Sequence, residues 1–173
     1  MTSLLCKLRR PLDVLYQTSG VLSAIFLFLI LAIIVLQMLA RALGIHFPGS
    51  NDYAGYTMAA ASFLAFAYTL NKGGHVRVSL LLGSLEAKKR YYAEVCCHLL
   101  ATLMSWILAW YATAMVYWSY VLGDVSQGQD AMPLWIVQAP VAVGSIILAI
   151  CFADNLVSLL LRKRDNIIAD IVE

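Results

Sequence analysis

VLSAIFLFLILAIIVLQML, residues 21–39, contains no charged side chain and one strongly polar one, Gln37. The charge-free run around it covers residues 14–40, 27 positions in all. At about 1.5 Å per helical residue, roughly 20 residues cross a hydrocarbon core of about 30 Å, so this stretch is long enough to span a bilayer. Three further windows without Asp, Glu, Lys or Arg follow at residues 53–71, 95–123 and 131–153. Lipid offers no partner to backbone N–H and C=O groups, so spanning segments are helices or closed barrels, and the ten-residue alternating strands of a barrel are absent. The sequence therefore predicts an all-α integral membrane protein with four transmembrane helices. They fall at about 16–42, 53–71, 93–122 and 132–161, in a single four-span domain over residues 1–173.

Composition excludes a water-soluble globule. Hydrophobic residues make up 62% of the chain and charged ones 13%, against about 45–50% and 25% in soluble domains. The first window has a basic flank, Lys7, Arg9 and Arg10. Its apolar run is longer than a signal-peptide core and no convincing A-x-A site follows, so it reads as a retained signal-anchor helix.

The few charges orient the chain. Three Lys or Arg precede span one, Arg41 alone lies between spans one and two, and five (Lys72, Arg77, Lys88, Lys89, Arg90) lie between spans two and three. None lies between spans three and four, and three (Arg162, Lys163, Arg164) follow span four. The positive-inside rule puts both termini and the middle loop in the cytoplasm. Tyr91 and Tyr92 at one edge of span three, and Tyr117, Trp118 and Tyr120 near the other, fit interfacial belts. The net charge of +2 is explained by this orientation and gives no ground for a nucleic-acid partner; membrane lipids are the surroundings the composition implies. Cys6, Cys96, Cys97 and Cys151 fall on the inner, reducing side, where free thiols are expected. Cys96, Cys97 and His98 splay round a helix rather than converge, so no metal or other cofactor is expected.

The spans differ in kind. Span one is bulky and apolar all round, whereas span two is rich in small residues, among them Gly55, Ala59, Ala60, Ala61, Ser62, Ala65 and Ala67. Apolar side chains gain nothing by leaving lipid, so helices associate through the close approach that small residues permit, and span two is expected to be the most buried helix. Span three carries Thr102, Trp106, Trp110, Thr113 and Tyr117 at spacings of one helical face. Packing inside the chain's own bundle and contact with a separate subunit are both open for this stripe. Span four has Pro133 at its start and Pro140 inside it, where the missing N–H is expected to kink the helix.

Ionisable residues sit only at span ends. Lys72, His75, Arg77, Glu94, His98 and Asp154 gather at the inner interface, where the reading is structural: local pairs and interface anchors, with Lys72 or Arg77 placed to neutralise Asp154. The loop NKGGHVRVSLLLGSLEAKKRYYAE is leucine-rich and too short to span, so residues 74–90 are expected to form an in-plane amphipathic segment between helices two and three. No nucleophile, base and orienting group occur at motif spacing, and no phosphate-cradling loop or HExxH is present. The chain is therefore not expected to be an enzyme. Nor is a midplane charge or an internal repeat visible, so a transport pathway within this chain alone is not expected.

NDYAGYTMAAASFLAFAYTLNKGGHVRVSLLLGSL, residues 51–85, and GDVSQGQDAMPLWIVQAPVAVGSIILAI, residues 123–150, resemble the small membrane subunit (DctQ-like) of tripartite ATP-independent periplasmic (TRAP) transporters. The most specific pieces are Gly74-His75-Val76-Arg77-Val78 and Pro133-Leu134-Trp135-Ile136. Two positions depart from the pattern: Tyr53 follows Asp52 where an acidic pair is frequent, and Ser79 stands where an Asp is common. The resemblance implies three components in a bacterial inner membrane system. A periplasmic substrate-binding protein captures an organic acid, a large membrane subunit binds it with sodium and carries it, and the small subunit acts as scaffold. On that basis Gly55, Ala59, Ser62, Thr102, Trp106, Trp110 and Tyr117 are the expected large-subunit interface. Asp52, Asp124, Gln127, Gln129 and Asp130 are the expected docking surface for the binding protein. The rival class is a self-sufficient four-span protein, either a small homo-oligomeric exporter or the membrane anchor of a redox enzyme.

Overall fold

The computed structural model describes residues 2–45, 49–72, 87–128 and 131–162. They form four helices: α1 (Thr2–Ala42), α2 (Ser50–Asn71), α3 (Ala87–Leu122) and α4 (Leu134–Arg162). Among the described residues the only β-type pairing is an isolated bridge between Val125 and Pro133, so the all-α class is observed. Three stretches are long and apolar enough to cross a membrane: Pro11–Ala42, Tyr91–Leu122 and Leu134–Leu160. With 22 residues, α2 is about 33 Å long and meets the length requirement. Its alanines, hydroxyl residues and tyrosines leave it less hydropathic than those three stretches.

The helices overrun the expected spans at one end. With 41 residues α1 is about 60 Å long, twice the hydrocarbon thickness. The helical start of α3 at Ala87 takes residues 87–90 out of the expected in-plane segment and makes them the first turn of α3. The rest of that segment, including His75 and Arg77, lies outside the described residues.

The helices pack out of chain order: α1 lies on α2, α2 on α4 and α4 on α3, with α1 meeting α4 over a small patch. The main core gathers at one end of the bundle, from Tyr16 of α1, Leu64, Ala67 and Leu70 of α2, and Ile147, Leu148 and Cys151 of α4. Small residues set these crossings. A Cβ on Gly144 would lie 2.6 Å from the carbonyl carbon of Phe63, so α2 and α4 touch backbone to backbone there. Ala67 is fully buried in the core beside this crossing, and Ser145 and Ala149 are fully buried on α4. On the other side of α2, Ser23 of α1 donates its hydroxyl to the carbonyl of Ala61 at 2.8 Å, an interhelical bond that suits an apolar surrounding.

One expectation is corrected here. The helix with the most buried positions is α4, not α2, because α4 packs on α2 along one side and α3 along another and also touches α1. The opposite surfaces of α1 and α3 are lined by exposed large apolar side chains, Phe28, Leu31, Met38, Leu103, Met104 and Tyr111 among them. Such a surface is stable only against lipid or another apolar protein.

Candidate partner and docking surfaces

On α3 two faces are distinct. Ser105, Ala109, Ala112 and Ser119 are buried and form the side that meets α4. Trp106, Trp110 and Tyr117 lie roughly a quarter to a third of a turn away and are 54%, 75% and 60% exposed. The aromatic stripe is therefore not part of the chain's own core. Its physical reason is the crossing with α4, which admits the small face and leaves the bulky one outside. Thr102, on the same stripe, is half-buried and donates its hydroxyl to the carbonyl of His98 at 2.7 Å. Trp106 and Trp110, with Tyr111 and Ile146 of α4, border an apolar groove of about 650 Å³.

The small residues of α2 also divide between two faces. Ala60, Ala61 and Ala67 are buried, whereas Gly55 is exposed and Ala59 and Ser62 are half-buried. Nothing lies within 4 Å of the position a Gly55 Cβ would take. Ser62 satisfies its hydroxyl within the helix, on the carbonyl of Met58 at 2.9 Å. The expected interface residues thus sit on the sides of α2 and α3 turned away from the chain's core.

The expected docking residues Asp52, Asp124 and Gln127 are all exposed and lie at the same end of the bundle, while Gln129 and Asp130 lie outside the described residues. The α3–α4 loop is well fastened. Gly123 takes a left-handed φ of 66°, which only glycine adopts cheaply, and ends α3 with Asp124 N–H donating to Ser119 at 3.0 Å. Ser126 N–H donates to Met132 at 2.8 Å and Leu134 N–H to Asp124 at 3.0 Å, closing the loop on itself. The Ser126 hydroxyl is 2.6 Å from that of Tyr56 on α2 and accepts the Gly128 N–H at 3.2 Å. Tyr120 and Trp135 stack edge to face at 5.7 Å nearby. Tyr56 and Ser126 were not legible as partners, being 70 positions apart with no shared pattern.

At the opposite end Lys72 is exposed, and Glu94, His98 and Asp154 are half-buried. His98 Nδ1 donates to the backbone carbonyl of Glu94 at 2.9 Å. Asp154 sits on the turn next to a buried polar group that the sequence did not single out, made of Tyr16, Cys151 and Asn155. Cys151 donates its thiol to the Ala67 carbonyl at 3.7 Å and accepts from Asn155 Nδ2 at 3.8 Å. Cys96 and Cys97 are exposed, Cys151 is buried, and none of these three is in a disulfide. Among the described residues no three His, Cys, Asp or Glu side chains are placed to share a metal ion.

A family model described as "Tripartite ATP-independent periplasmic transporters, DctQ component" matches residues 30–162. The chain belongs to the DctQ family. No curated protein matches the chain. The DctQ match begins part-way along α1 and takes in all of α2, α3 and α4. It therefore contains every expected interface, docking and inner-interface residue, while the α1 half of the core, Tyr16 included, precedes it. As a DctQ component the chain is a membrane constituent of a transporter rather than a member of an enzyme family.

Proposed function

We propose that this DctQ chain is the static small subunit of a sodium-coupled, binding-protein-dependent importer of an organic acid, such as a C4-dicarboxylate or a sialic acid, in a bacterial inner membrane. The observation that carries the scaffold role is the distribution of charge over the helices. Asp13, Arg41, Asp52, Lys72, Glu94 and Asp154 all stand in the outer third of a helix or just past its end, and the central turns carry no Asp, Glu, Lys or Arg. A moving transport subunit needs groups at mid-membrane to coordinate an ion and an acid, and transporters usually build these from broken helices at the midplane. A scaffold needs helix faces that another helix can approach.

In this reading α2 is a fourth transmembrane helix, shielded from lipid by its neighbours and so free of the strong hydropathy the outer helices carry. Both termini are cytoplasmic, following the Lys and Arg count, and the α3–α4 loop faces the periplasm. The stripe of Thr102, Trp106, Trp110 and Tyr117, with the outward side of α2 at Gly55, Ala59 and Ser62, receives the large membrane subunit. Asp52, Asp124 and Gln127, with Gln129 and Asp130, face the periplasmic binding protein. Sodium and substrate are bound by the large subunit.

The test is co-purification. Trp106 and Trp110 bury little against their own chain, so replacing both by Leu leaves the small subunit folded and lowers recovery of the large subunit from mild detergent. Undiminished recovery of the complex, with undiminished uptake, would count against the interface.

A further inference from the structure

The expected docking residues differ in what their side chains do. All three described ones, Asp52, Asp124 and Gln127, are exposed, and the Asp52 carboxylate in addition lies against Gly128 across the helix–loop junction. A Cβ built on Gly128 would overlap the Asp52 carboxylate oxygen and stand 3.1 Å from its Cγ. Real Cβ contacts are wider than this, so the carboxylate fills the place a side chain would take. The same turn is held from beneath. Gly128 N–H donates to Ser126 Oγ at 3.2 Å, Ser126 is 7% exposed, and its hydroxyl pairs with Tyr56 at 2.6 Å. Asp52 and Tyr56 are one helical turn apart on α2, on the same side of that helix. Two side chains of one helix thus meet two points of the loop, Ser126 and Gly128, whose flanks are joined by the bonds from Ser126 to Met132 and Leu134 to Asp124. Asp52 also stands in the first turn of α2, where a carboxylate is favoured by the helix dipole.

We propose that Asp52 is a positioning residue, the pin that locks the α3–α4 loop to the first turns of α2 so that the two form one rigid surface. Asp52 then contributes to partner docking by fixing where Gln127 is displayed, and this consequence rests on the docking reading above. A side chain at position 128 has to displace the Asp52 carboxylate from the space it occupies.

Paired cysteines in the intact complex test the pin. Asp52→Cys with Gly128→Cys brings two thiols within the roughly 3.5–4.5 Å Cβ separation of a disulfide, and a mild oxidant joins them readily. Asp52→Cys with Gln127→Cys, one residue along, joins at least about tenfold more slowly. Equal rates for the two pairs, or no bond in either, would overturn the pin. A second readout avoids cysteines. Gly128→Ala speeds proteolysis of the loop several-fold in the otherwise native chain, and has no further effect once Asp52→Ala has removed the carboxylate it displaces. Effects that simply add would overturn the contact. The docking reading is read separately, from uptake by Gln127→Arg at limiting binding protein. Unchanged uptake there defeats docking at this loop while the cross-linking rates still decide the pin.

Discussion

Replacing Gly144 by Ala adds one methyl group at the tightest point of the bundle. The new Cβ would lie 2.6 Å from the carbonyl carbon of Phe63, 2.8 Å from its oxygen and 2.9 Å from its Cβ. Two of these three atoms are backbone, which no rotamer change can move, so α2 and α4 must separate locally by something near 1 Å to restore ordinary contacts of about 3.5–4 Å. Overpacking of a close-fitted core costs about 1–3 kcal/mol, and separation also loosens the adjoining core of Leu64, Ala67, Leu148 and Cys151. Alanine returns up to about 1 kcal/mol through its higher helix propensity. The net expectation is a loss of about 1–2 kcal/mol for Gly144→Ala and more for Gly144→Leu. Gly55→Ala is the control, since nothing lies within 4 Å of its new methyl. It should be neutral or stabilising by up to about 1 kcal/mol. Thermal unfolding of the purified chain in detergent reads the difference, with a midpoint lowered by about 2–8 °C for Gly144→Ala, at about 2–4 °C per kcal/mol. A Gly144→Ala protein as stable as Gly55→Ala would refute the backbone contact between α2 and α4, and with it the small-residue account of the seam.

Two further outcomes follow from the buried polar group at the opposite end. The Tyr16 hydroxyl is buried and has no hydrogen-bond partner among the described residues, so Tyr16→Phe should keep stability within about 0.5 kcal/mol or raise it, as measured by the same unfolding assay. A loss above about 1 kcal/mol would mean that the hydroxyl is bonded in the folded protein. In a Cys6→Ser background, a maleimide should label two thiols of the solubilised native protein, Cys96 and Cys97, and reach Cys151 only after unfolding, because Cys151 alone of these three is buried. Rapid labelling of Cys151 would contradict the packing of α1, α2 and α4 around it.

Much of the architecture was legible because charge is scarce. Arg41, Lys72 and Asp124 mark where helices end, and the described helices do stop beside them. Which faces pack was less legible, for a reason particular to lipid. In water, burial selects the apolar side of a helix, but here nearly every side is apolar and helices choose partners by shape. Trp106, Trp110 and Tyr117 could be seen to share a face, yet nothing in their spacing said that Ser105, Ala109, Ala112 and Ser119 would form the buried one. On α2, small residues occur all round, so the inward Ala60, Ala61 and Ala67 could not be separated from the outward Gly55, Ala59 and Ser62. The contacts that fasten the ends, Tyr56 with Ser126 and Cys151 with Ala67, join residues 70 and 84 positions apart. They follow from the packing order of the helices, which hydropathy does not encode.

In the role proposed for it, this DctQ chain supports transport without carrying it out. The most direct test of that role is uptake into liposomes holding the chain alone, the large subunit alone, or both, each with the binding protein outside and an inward sodium gradient. Sodium-dependent accumulation of the organic acid only where both membrane subunits are present is the predicted result. Accumulation in liposomes holding either one alone would contradict the claim.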